Sequence, residues 1–183
     1  MRRVILTTTL ALGIVFIISA IVGYHEAQYN PQLGEGLKKF FEGFRGFMEN
    51  PVLLMLIIFA NNAGKSLVAM LAGFFFGIFP VLFVILNGYI VGVVVSVKSP
   101  EWGIYKVIAA ILPHGILEIP AIIISCAYGV WLGYRFYRAL FNGEEFKKYV
   151  VYAIKVYLRF IVPVLFIAAV VEAFITPLVV SVL

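Results

Sequence analysis

The sequence predicts an all-α, polytopic transmembrane helix bundle of about five spans, with broken helices and an interfacial amphipathic helix. Three observations predict it. Of the 183 residues, 63% are hydrophobic and mean hydropathy is +1.07, whereas a soluble domain is roughly 45–50% apolar. Five apolar runs reach the length of about 20 residues that a helix needs to cross a bilayer. The charges gather at the ends of these runs, where a spanning chain must place them. Spans of that length use up most of the chain, so residues 1–183 form a single integral membrane domain.

The first span covers about 4–23. Met1-Arg2-Arg3 before an apolar core has the look of a secretory signal, but the core is longer than such signals carry, which favours an uncleaved anchor. Residues 24–50 are polar. Within 35–49, Leu37, Phe40, Phe41, Phe44, Phe47 and Met48 recur at helical spacing, with Lys38, Glu42, Arg45 and Glu49 mostly opposite. That pattern predicts an amphipathic segment on the outer face, either in the headgroup plane or covering the bundle, as a lid on its own protein or as a partner-binding surface. Pro51 suits a helical first turn and opens a span at about 51–72, broken by Asn61-Asn62-Ala63-Gly64-Lys65. A third span at about 73–97 carries Pro80 and Asn87-Gly88. The fourth run, about 104–134, is long for one straight crossing and holds Pro113 and Pro120, each of which frees a backbone carbonyl. A half-helix ending near Pro113 and then a full span is the expectation. The last span, about 156–183, contains Pro163, Glu172 and Pro177.

Net charge is +5, and its placement sets orientation. Arg2 and Arg3 precede the first span, and Arg135, Arg138, Lys147, Lys148, Lys155 and Arg159 crowd a basic segment at 135–155 and just beyond. The positive-inside rule makes the amino terminus and the 135–155 loop cytoplasmic, in a multi-pass protein of the cell membrane. The partner implied is the bilayer and its anionic lipid; no nucleic-acid motif is present. The single cysteine, Cys126, lies in an apolar run and reads as a buried, inert thiol.

Polar residues inside apolar runs are the functional candidates, because each costs free energy in hydrocarbon without a partner or a wet cavity. Pro113-His114-Gly115-Ile116-Leu117-Glu118 places a histidine and a glutamate four apart, on one helix face. Glu172 is isolated in the last span, and Asn61, Asn62 and Asn87 interrupt the second and third. Asparagines commonly tie spans together by hydrogen bonds, and Lys65 can snorkel to the inner surface. His114, Glu118 and Glu172 together are candidates for three chemistries: a hydrogen-bonded polar centre supported by the asparagines, a proton or ion path, or a site for a divalent metal such as zinc. His-x-x-x-Glu supplies two ligands, fewer than the familiar zinc-protease helix. No serine nucleophile elbow, phosphate loop or nucleotide fingerprint occurs.

At these residues the chain resembles the stage II sporulation protein M family of integral membrane proteins. The matching elements are Asn61-Asn62, Gly73-Phe74-Phe75-Phe76-Gly77, Asn87-Gly88 with Gly92, the run from Pro113 to Ala121, and Val171-Glu172-Ala173-Phe174-Ile175-Thr176-Pro177. The resemblance covers nearly the whole chain and implies a membrane partner of an envelope protein complex. It brings no catalytic residue set. The expected function is a non-enzymatic scaffold or recruiter, in the form of a homodimer, that binds a membrane or envelope protein. The alternatives are a small transporter or channel using His114, Glu118 and Glu172, and an intramembrane metal-dependent hydrolase.

Overall fold

The computed structural model describes residues 1–30, 32–37, 39 and 50–182, apart from the side chains of His114 and Val182. Most of the predicted amphipathic segment, including Lys38, Glu42 and Arg45, therefore lies outside the described residues. Every regular element among those described is helical. They are α1 (Arg2–Tyr29), α2 (Pro51–Leu71), α3 (Ile78–Trp102), α4 (Ile104–Asn142), α5 (Phe146–Val156), α6 (Val162–Val170) and α7 (Thr176–Val182). The last three form one rod, joined by wider π turns at Tyr157–Ile161 and Val171–Ile175. Residues 32–37 are also helical. Among the described residues, five helices are long and apolar enough to cross a membrane.

Local chemistry sets the element boundaries. Asn50 caps α2, its side-chain oxygen accepting from the Val52 and Leu53 amides at 3.1 Å, and Pro51 follows where an amide hydrogen is not needed. Between α2 and α3 the chain turns within Ala72–Gly77, where Phe76 (φ 52°) and Gly77 (φ 77°) adopt successive left-handed conformations. Gly143 (φ 69°) ends α4 in the same conformation.

The structure redraws two expectations. Pro113 and Pro120 both lie inside α4, which stays helical for 39 residues. Each proline removes one hydrogen bond, and the bonds on either side carry the helix through. The segment read as a basic loop at 135–155 is helical on both sides of a short connection at 143–145, so the final rod starts at Phe146 rather than near Val156. Irregularity is concentrated instead in the final rod, at its two π turns.

α4 is the hub. Its Ala121, Ile122, Ile123, Cys126, Ala127, Trp131 and Leu132 are buried, with the lone thiol fully so. α1 and α3 run parallel: Gly88 abuts the Phe16 carbonyl and Gly92 the Ala20 carbonyl, so that any β-carbon there would overlap main chain. α2 and α4 are also parallel. Gly73 and Gly77 of the α2–α3 turn meet Gly129 and Gly133 of α4, again through backbone. The final rod runs antiparallel to both, with Phe59 on Phe166 and Trp131 on Tyr149. Glycine is needed at these crossings for a physical reason: lipid is as apolar as leucine, so helices in hydrocarbon associate by close packing and hydrogen bonds rather than by burial from water.

Candidate functional site

The polar groups fall into three levels along α4 and the final rod. At one end, Arg135, Arg138 and Glu144 form an ion-pair cluster. Arg138 Nε lies 2.6 Å and Arg135 Nη1 3.2 Å from the two Glu144 oxygens. The Arg135 guanidinium stacks over Tyr149, 4.5 Å from the ring centroid, with Trp131 on a second side. This cluster ties the last turn of α4 to the first turns of α5 across the short connection. Desolvation pushes the Glu144 carboxyl upward, but hydrogen bonds from Tyr149 and Arg135 and the charges of Arg138 and Arg135 outweigh it, leaving its pKa below the ordinary value.

In the middle lies a node that sequence reasoning missed. Tyr157, on the first π turn, donates its hydroxyl hydrogen to the Ala63 carbonyl and sits 2.9 Å from Ser66 Oγ. Ser66 in turn lies 2.6 Å from the Asn62 carbonyl, and Ser125 Oγ donates to the Ser66 carbonyl at 3.1 Å. Ser66 and Ser125 have no exposed surface and Tyr157 has 2%. Three helices are thus joined by groups that satisfy one another, which is what a buried polar cluster must do to be stable. The π turn supplies the geometry, since its extra residue re-aims the tyrosine toward α2. The available signal was faint: single hydroxyls in apolar runs and a tyrosine that reads as a core aromatic.

At the far level, Glu118 of α4 and Glu172 of the second π turn stand within Coulombic reach of each other. The structure brings these two predicted residues together. His114 is one helical turn from Glu118, but its side chain lies outside the description, so the third member of the expected set has a backbone position only. Among the described residues no group of three or more His, Cys, Asp and Glu is close enough to hold a metal.

The asparagines lie elsewhere. Phe59 packs on Phe166 and Ser66 on Tyr157, which fixes the register of α2 against the rod. That register puts Asn61 and Asn62 nearly three helical turns from Glu172, roughly 15 Å along the rod. Asn61 Nδ2 donates to Asn62 Oδ1 at 3.0 Å on an exposed face, while Asn87 Nδ2 donates to the Phe83 carbonyl of its own helix at 2.7 Å. Lys65 is exposed on α2.

Parallel apolar helices, crossed through glycine and pinned by a buried hydroxyl node, define a helical membrane-protein class with two acids near one end. The family follows from comparison: the stage II sporulation protein M family matches residues 11–177, and the chain belongs to that family. A protein of Methanocaldococcus jannaschii, named only as uncharacterized, is 32% identical over 182 residues, covering 91% of this chain and 80% of its own length. A second uncharacterized protein of that organism is 35% identical over 125 residues, covering 66% of this chain and 69% of its own. No solved structure matches.

Proposed function

We propose that the protein is a rigid, non-enzymatic membrane scaffold that holds an envelope or membrane partner, with its amino terminus and the Arg135–Glu144 corner in the cytoplasm. Three groups of observations support the topology. α1 and α3 run one way and α2 and α4 the other, as alternating crossings require. Arg2 and Arg3 then share a side with the basic corner. Arg135 and Glu118 are nearly five helical turns apart, roughly 25 Å, which approaches the thickness of the hydrocarbon layer. Glu118 and Glu172 then lie close to the outer boundary, on the same side as Asn30 after α1 and Asn50 before α2.

The observation that carries the scaffold reading is the closure of the bundle below that pair. The hydroxyl node is buried and internally satisfied, and beyond it main chain touches main chain at Gly73, Gly77, Gly129 and Gly133. Such a body suits holding a fixed shape. The outer segment supplies the docking surface: exchanging Lys38, Glu42 and Arg45 for alanine is expected to abolish co-purification of the partner from detergent-solubilised membranes while leaving the elution profile unchanged. Unchanged co-purification overturns the reading.

One observation favours a second reading. Glu118 and Glu172 lie within Coulombic reach in an apolar bundle, and ionisable groups so placed are the usual apparatus of proton- or ion-coupled transport. In that reading His114, Glu118 and Glu172 line the path. Proteoliposomes then show pH-dependent flux that Glu118→Gln and Glu172→Gln both remove; absence of flux in the wild-type protein excludes it.

A further inference from the structure

We propose that the chain pairs with a second copy of itself through the uncovered face of α2. α2 packs into the bundle by Ser66, Ala69 and Met70. The opposite side presents Leu56, Ala60, Asn61, Gly64 and Val68, all exposed and within one arc of the helix. On a helix that crosses a bilayer this face is anomalous. Asn61 stands nearly three turns beyond Pro51, about 15 Å into the span, where a lipid-facing carboxamide is costly. Its nitrogen is bonded to Asn62, yet its oxygen accepts no hydrogen bond among the described residues.

Beside it, Ala60 and Gly64 lie one turn apart and make a flat strip, and a β-carbon at Gly64 would meet nothing within 4 Å. Small residues at this spacing let a second backbone approach closely, which is how spanning helices associate. The contrast with Gly73, Gly88, Gly92, Gly129 and Gly133 is informative: each of those already abuts backbone of its own chain, whereas Gly64 has open space above it.

The occupant follows from the chemistry of Asn61. A carboxamide both donates and accepts, so a two-fold crossing centred on Ala60 and Gly64 sets the two Asn61 side chains against each other and satisfies both. Lys65 sits at the edge of the face, exposed, with no ion pair among the described residues. It lies within two turns of the end of α2, so its amine can reach the inner surface beside the crossing. The inference rests on α2 spanning the membrane and not on the scaffold role.

The test is oxidative cross-linking of single-cysteine variants of the full chain in native membrane vesicles. Ala60→Cys and Gly64→Cys are compared with Ile14→Cys on the 60%-exposed lipid face of α1, all on a Cys126→Ala background. The same set with Cys126 retained, its thiol buried and out of reach, covers a background that fails to fold. A product of twice the chain mass is expected at positions 60 and 64, at least tenfold above position 14. By energy transfer in liposomes, Gly64→Ile is expected to weaken pairing at least tenfold and Asn61→Leu about threefold. Equal cross-linking at position 14, no doubled product, a product carrying a different protein, or pairing unaffected by Gly64→Ile overturns the proposal. Pairing without any co-purified partner leaves it standing and counts against the scaffold reading alone.

Discussion

The two ends of α4 solve the same problem in opposite ways. At the Arg135 end, two cations surround one carboxylate, aromatic rings cover the guanidinium, and the backbone is clasped by Gly73 and Gly77 against Gly129 and Gly133. At the Glu118 end two acids, Glu118 and Glu172, come within Coulombic reach, and the glycine there, Gly115, has only side chains of its own helix within contact distance. The first arrangement is what stability alone selects. The second costs stability whenever both acids are ionised, and that cost is what makes the pair a candidate site.

The largest expected effect comes from breaking the clasp. Gly133→Leu forces a side chain into the Gly77 amide and Gly73 carbonyl. Monodisperse protein should be lost from size-exclusion profiles, a cost of more than about 4 kcal/mol. Gly115→Ala is the control at the other end: its new β-carbon meets Ile119 and Ile111 at 3.5 and 3.6 Å, ordinary contact, so melting should be unchanged or slightly higher. A collapse of both variants would erase the contrast between the ends.

Next in size is Tyr157→Phe in the node between them. It removes two interhelical hydrogen bonds, while the Ala63 carbonyl keeps Ser66 Oγ at 3.3 Å. The expected loss is about 1–2 kcal/mol. It should be read as a melting point lower by roughly 3–6 °C. Glu144→Gln should cost less, and its effect should depend on pH. Because the folded carboxyl titrates below its unfolded value, its contribution is complete above the unfolded pKa and is lost as pH falls through the folded one. The melting difference between wild type and variant should therefore be constant near neutral pH and vanish under strong acid. A difference that grows on acidification contradicts the ion-pair account.

Smallest, and opposite in sign, are Glu118→Gln and Glu172→Gln. Either takes away the repulsion that the two acids exert whenever both are ionised, so the melting point should hold or rise by up to about 3 °C. A fall comparable to that of Glu144→Gln means the pair is structural, and the distinction between the two ends disappears.

Much of the architecture was legible because hydrocarbon imposes it. The length and apolarity of the five helices, the helix start at Asn50-Pro51 and the close-packing glycines at 88 and 92 follow from local composition. Glu118 and Glu172 were likewise legible as acids within apolar runs. Distances across the bundle were not legible. Asn61 and Asn62 read as supports of the polar centre because they too interrupt an apolar run, but register between helices is set by packing, and it separates them from Glu172. Ser66, Ser125 and Tyr157 escaped because hydroxyls can hide in a helix by bonding to their own backbone, so no sequence penalty flags them. The continuation of α4 through Pro113 was equally hidden: a proline's local cost is visible, while the bonds around it that sustain the helix are not.

The turn between α2 and α3 has a consequence for how the chain enters the membrane. Residues 66–97 carry no charged side chain. In the proposed topology, Ala72–Gly77 therefore offers only aromatics and small residues to the inner surface. Nothing in that connection resists transfer or marks a side for the insertion machinery. The two helices are suited to entering together as a hairpin, with orientation set by Arg2 and Arg3 before it, by Lys65 near its inner end and by the cations of 135–159 after it. Removing those cations, rather than altering the connection, is what would turn the molecule over.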